Sequence, residues 1–272
     1  MRMKKQCTAG KALLWAGGFF VLFLTGCELF DGDENTNDNG PKTGTVSDID
    51  GNEYQTVKLW EHMWMTENLR TTRYRDGTPI TNGLNAEDWA IASEGAYTVY
   101  PHQEVEGINS DEEMVNAYGL LYNWEAINDA RGLCPAGWRI PECDEWSDLR
   151  EFVEDFVDKE PQVGGVGNAL KAARQVGHPW GGMHDTDVHP RWNASLNHYG
   201  WDEFGYSAYA SGFRNHEGTF RDLGYVAVWW STTEQSTTEV YVRHIWNWEN
   251  FMIRRPADKR SGLSVRCIRD AK

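Results

Sequence analysis

The side chains best suited to chemistry crowd between residues 177 and 203 (GHPWGGMHDTDVHPRWNASLNHYGWDE), where His178, His184, His189 and His198 alternate with Asp185, Asp187, Asp202 and Glu203. Imidazoles and carboxylates together are donors for a transition metal, and carboxylates with backbone carbonyls suit calcium. His184, Asp185, Asp187 and His189 are the candidate metal ligands, with calcium the only cofactor they suggest. Their spacing matches no defined pattern, such as two histidines one helical turn apart, so an uncoordinated polar loop is the competing reading. The same stretch carries Trp180, Trp192, Tyr199 and Trp201, and a later segment carries Trp246 and Trp248. Rings outside a core stack on sugars, because their negative faces meet polarised C–H groups. These six are candidate ligand-binding residues. Burial is the alternative for each, since most Trp in a domain is highly buried.

Catalysis has weaker support. No nucleophile elbow, zinc-protease helix or paired-carboxylate motif is visible. Glycosidase carboxylates are related in space and not in sequence, so such a pair can hide among 41 acidic residues. Gly164-Gly165-Val166-Gly167 looks like a phosphate loop but lacks the Lys-Ser/Thr that completes one, and reads as a turn.

The elements that must position these groups begin with a hairpin. Residues 44–49 and 54–60 flank Asp50-Gly51-Asn52, a strong turn signal between alternating runs. After Pro141, apolar residues at Trp146, Leu149, Phe152, Val153, Phe156 and Val157 make one stripe of an amphipathic helix. A shorter helix is expected over 168–175, with Asn168 as its cap. Strands are expected over 206–214, 227–232, 240–245, 251–254 and 263–268. Trp138, Trp146, Trp229 and Trp230 are assigned to the core. Few helices and many strands imply an α+β domain. About 225 residues from Gly44 onward, without a second linker or repeat, can form one such unit with a sizeable core.

The first 26 residues carry Arg2, Lys4, Lys5 and Lys11, then an apolar run over 12–24 (ALLWAGGFFVLFL). That is the layout of a secretory signal, and it is shorter than the roughly 20 residues of a spanning helix. Leu24-Thr25-Gly26-Cys27 resembles the lipobox of bacterial lipoproteins, which implies acylation of Cys27 and a lipid-mediated membrane partner. Residues 27–42 are acidic and rich in Asn and Gly, a composition that reads as a flexible lipidated tether. Loss of residues 1–26 removes four positive charges and no negative one, moving the formal charge from −15 to −19. Such a field repels phosphate backbones, so nucleic acid is excluded as a partner. Beyond the anchor remain Cys134, Cys143 and Cys267, which allow three single bridges with one thiol left over.

The runs 44–46 (GTV), 48–52 (DIDGN), 64–69 (WMTENL), 118–124 (YGLLYNW), 133–141 (LCPAGWRIP), Glu145-Trp146, 229–234 (WWSTTE) and 264–267 (SVRC) form a set. Together they resemble the Fibrobacter succinogenes major paralogous domain, a family of secreted bacterial modules often carried on lipoproteins. They run in order through residues 43–272. The resemblance implies a fold similar to C-type lectin-like and formylglycine-generating domains, with short strands, two helices and long loops. It also implies a Cys134–Cys267 bridge that leaves Cys143 free. The lectin sugar site does not carry over, because Trp192-Asn193-Ala194 lacks the carboxylate that completes its Trp-Asn-Asp motif. The expected function is a non-catalytic binding module at the cell envelope, in the outer membrane, with polysaccharide as the partner. A structural envelope protein, or an enzyme of the formylglycine-generating branch, is the alternative.

Overall fold

A computed structural model describes residues 43–271. The signal segment, Cys27 and the acidic tether lie outside them. The hairpin forms as expected: β1 (Thr43–Ser47) and β2 (Glu53–Leu59) pair antiparallel, Val46 opposite Tyr54. Asp48 closes the turn, its carboxylate accepting from the Asp50 and Asn52 N–H groups at 2.9 and 3.0 Å and from the Tyr54 hydroxyl at 2.6 Å. Burial, reinforced by the Asp48 carboxylate, pushes that tyrosine far above its ordinary value. Next come β3 (His62–Met65), α1 (Ala86–Ala90), β4 (Tyr97–Thr98), α2 (Asp111–Tyr118), β5 (Leu121–Tyr122) and α3 (Trp124–Ile127). The chain continues through α4 (Cys143–Val157), α5 (Val166–Leu170), β6 (Ser211–Arg214), β7 (Phe220–Leu223), β8 (Val226–Glu234), β9 (Glu239–Trp246), β10 (Ile253–Asp258) and β11 (Ile268–Asp270).

The strands make four small sheets, ordered β1-β2-β3-β11, β10-β9-β8, β4-β5 and β6-β7. The domain is therefore α+β, but the expected two-helix, C-type lectin-like arrangement is wrong: five α-helices accompany four sheets among the described residues. The three unexpected helices have four to eight residues and are started by local caps instead of an apolar stripe. Asn85, Ser110 and Asn123 accept from the backbone N–H three residues on, at 2.9, 3.1 and 3.0 Å. The stripe after Pro141 does form a helix, α4, which buries Trp146, Leu149 and Val153. The helix expected over 168–175 is α5, displaced and cut short. Beyond Leu170 the backbone leaves the helix to bridge Lys171 to Ala208, and Gln175 to Asp185 and Trp192.

Alternation sends neighbouring strand residues to opposite sides of a sheet. Tyr54, Met63, Met65, Val228, Trp230 and Val242 join one core cluster, while Val57, Leu59, Trp64, Ala227, Trp229 and Ile245 join the other. Trp146 sits between Trp64 and Trp229, at ring-centroid distances of 4.8 and 5.7 Å. Trp138, Trp146, Trp229 and Trp230 are all core, as expected. Cys134 and Cys267 form a disulfide across a sequence separation of 133, and Cys143 is a free, buried thiol. Closing so long a loop contributes about 5 kcal/mol in the chain-entropy treatment.

Candidate functional site

The β8–β9–β10 sheet sets Val226 opposite Trp246, Val228 opposite His244, Ile253 opposite His244 and Arg255 opposite Val242. Period-two alternation puts all of these side chains on one face. With Phe213, Glu249, Ala257, Ser261 and Leu263 they line a cavity of about 420 Å³, within the ~300–1,000 Å³ range of small-molecule sites. Burial, aided by the Arg255 guanidinium, pulls His244 down to about 4. Its imidazole is therefore neutral at ordinary pH and offers one ring donor and one acceptor.

At the end of this face an aromatic strip leads outward. His244 and Trp246 lie 6.0 Å apart, Trp246 and Trp248 stack at 4.4 Å and 25°, and Tyr225 follows 6.3 Å from Trp248. Trp248 is 51% exposed and Tyr225 43%. Rings this open contribute little to a core, so their adjacency to a cavity is the site's defining feature.

The strip's turn is fastened from below. Asn247 N–H donates to the Tyr225 carbonyl at 2.8 Å, and its side-chain amide to Ala194 at 3.0 Å. The Lys171 ammonium donates to the carbonyls of Glu249 and Asn247 at 2.7 and 3.3 Å. Burial pulls this lysine down to about 7, against an opposing pull from Glu249. Gly167 N–H donates to the Asn250 carbonyl at 2.7 Å. A Cβ at Gly165 or Gly167 would meet Asn250 backbone atoms at 2.6–2.8 Å, so the Gly164–Gly167 turn is glycine-rich to let the strip's turn approach.

The sequence-expected sites fare unequally. Trp246 and Trp248 belong to the strip. Trp180, Tyr199 and Trp201 gather around His178: Trp180 lies 4.9 Å from His178 and 5.0 Å from Trp201, and Tyr199 lies 5.6 Å from His178. Only Trp180 in this group is well exposed. Trp192 corrects the expectation, because it is fully buried, with its indole N–H donating to the Ala208 carbonyl at 2.8 Å. The irregular chain around it is drawn into the core by backbone bonds, Trp192 N–H to Arg174 at 2.9 Å and Val176 N–H to Trp192 at 3.1 Å.

The metal set does not assemble either. Asp185 accepts from Gly177 N–H at 2.7 Å, His189 Nδ1 is bonded to the Tyr118 hydroxyl at 2.6 Å, and His184 packs edge-on against Trp180 at 5.1 Å. Asp187 is exposed and engages Arg191 only through its carbonyl. Among the described residues no three His, Cys, Asp or Glu side chains converge as metal ligands, His184, Asp185, Asp187 and His189 included. Tyr225, His244, Glu249 and Lys171 were missed. The one sequence signal for them is the run Trp246-Asn247-Trp248-Glu249-Asn250, two aromatics one residue apart at the end of a strand.

No curated protein and no solved structure matches the chain. Residues 57–269 match the Fibrobacter succinogenes major domain. That span is most of the chain and holds every cavity and strip residue, and the chain belongs to the Fibrobacter succinogenes major domain family.

Proposed function

We propose that this protein is a non-catalytic, lipid-anchored binding module of the bacterial envelope, which presents Tyr225, Trp246 and Trp248 to a polysaccharide. The observation that carries the reading is the stacked Trp246–Trp248 pair, with Trp248 half open to solvent and Trp246 lining the cavity of about 420 Å³. The outer face of Trp248, the one turned away from Trp246, fits the C–H face of a sugar ring. The formal charge of −19 after loss of residues 1–26 argues against nucleic acid and polyanions. Cys27, directly after Leu24-Thr25-Gly26, supports anchoring to a membrane by acylation. Pull-down of the protein on insoluble polysaccharides tests the reading, with retention expected for wild type and reduced for Trp248→Ala. If wild type is not retained on any polymer, a purely structural envelope role takes its place. Labelled palmitate should enter the wild type and not Cys27→Ser.

A further inference from the structure

The cavity beside the strip contains one polar group that nothing in the fold accounts for. Glu249 lines it, and the Glu249 Oε2 atom is shielded from solvent without a hydrogen-bond partner among the described residues. A carboxylate oxygen left bare is costly, and the arrangement is stable only if something supplies a donor. The Lys171 ammonium donates to the backbone carbonyls of Asn247 and Glu249 and makes no bond to that oxygen.

We propose that the cavity seats one uncharged sugar ring whose hydroxyls donate to the Glu249 carboxylate, making Glu249 the specificity-determining residue of the site. The inference rests on the glycan reading above and names its ligand class. Val226, Val242 and Ile253 supply an apolar wall for the ring's C–H face, and Trp246 joins the cavity to the exposed strip. Hydroxyls fit better than the alternatives. An amino sugar would bring a second cation beside Arg255, and a uronic acid would set a second carboxylate against Glu249. Arg255, on the exposed edge of the cavity, has donors for the ring and hydroxyl oxygens.

The test is calorimetric titration of the full protein against neutral β-glucan, mannan and xylan, and against chitosan and polygalacturonate. Wild type should bind at least one neutral polymer more tightly than either charged one. Glu249→Gln keeps the shape of the side chain and should weaken that binding by about ten-fold or more, the effect of losing a hydrogen bond to a charged acceptor. Glu249→Asp withdraws the charge by one methylene and should weaken it too, which guards against one variant failing to fold. If Trp248→Ala loses binding while both Glu249 variants keep it, this inference falls and the glycan reading stands. Preference for chitosan or polygalacturonate overturns the inference in the same way. Absence of binding to all five polymers overturns both.

Discussion

Two regions of this protein are rich in aromatic side chains in loops or at strand ends, and they differ in exposure. Around 177–203 the rings point inward or onto one another: Trp192 is fully buried and Trp201 packs on the second core cluster. At 225 and 246–248 the rings point outward, and Trp248 and Tyr225 leave about half their surface to water. The difference lies in what the backbone does. The first region is threaded through the core by bridges from Gln175 to Asp185 and Trp192, so its irregular chain is a wall of the domain. The second is a tight turn at the end of a strand, held at its carbonyls and amides, so its side chains are free to meet a ligand. Lack of regular secondary structure is therefore a poor guide to exposure.

The largest expected effect is at Trp192. Trp192→Ala empties a site with no solvent contact and removes the indole bond to the Ala208 carbonyl, so unfolding free energy should fall by about 3–5 kcal/mol in urea titrations. A loss below about 1 kcal/mol would return Trp192 to the surface and erase the contrast between the regions.

Lys171 ties the two together, with its ammonium bonded to the 247–249 turn and 5.4 Å from the Trp192 ring. Its pKa in the fold is pulled from 10.5 to about 7 by burial. Between those values the unfolded chain holds a proton that the folded chain does not, so stability rises with pH through this window. The slope contributed by one such group reaches about 1.4 kcal/mol per pH unit. Urea titrations at pH 7, 8 and 9 should show the rise in wild type and its loss in Lys171→Met. Glu249 and His198 face the same amine and are unchanged in both proteins, so equal slopes would mean that Lys171 stays protonated. The methionine variant should also bind glycan less well, because two carbonyls of the turn lose their anchor.

What was legible in the sequence followed from signals that physics makes local. Asp50-Gly51-Asn52 marks a turn by its backbone conformation, with Gly51 at φ 84°, and the stripe after Pro141 marks α4 by its period. The helices α1, α2 and α3 are too short for a stripe. Their only sign is the cap, as in Ser110 followed by Glu113, whose carboxylate accepts in turn from the Asn109 N–H at 2.7 Å. The Cys134–Cys267 bridge came from family resemblance, since spacing alone left three pairings open. The cavity was not legible at all. Its wall is alternate residues of β8, β9 and β10 brought into register by pairing, with Glu249 and Ser261 from the flanking segments. Trp246 and Trp248 were legible as candidates; Tyr225 was not, because its nearness to them depends on the Asn247 to Tyr225 backbone bond.

A smaller effect is expected at Trp248. Its ring stacks on Trp246 but is 51% exposed, so Trp248→Ala should change stability by no more than about 1 kcal/mol. Loss of one stacking partner should weaken polysaccharide binding by about 0.5–1.5 kcal/mol, read as a roughly two- to ten-fold rise in Kd. A large fall in melting temperature without a change in Kd would make the strip part of the core.

Trp180 sharpens the comparison most finely, because it is the one ring of the 177–203 region exposed as fully as the strip, at 47%. Exposure alone would make it a second platform. Its surroundings argue otherwise: it makes three edge-to-face contacts with His178, His184 and Trp201 at 4.9–5.1 Å, against two aromatic neighbours for Trp248. No cavity among those described adjoins it, whereas Trp246 lines one. Trp180→Ala should therefore cost about 0.5–1.5 kcal/mol for each of the three aromatic pairings it removes, roughly 3–18 °C in melting temperature, and leave polysaccharide Kd unchanged. Paired with Trp248→Ala in the same titration, it separates exposure from recognition. If Trp180→Ala raises Kd and Trp248→Ala does not, the loop is the platform after all and the strip beside the cavity is only surface.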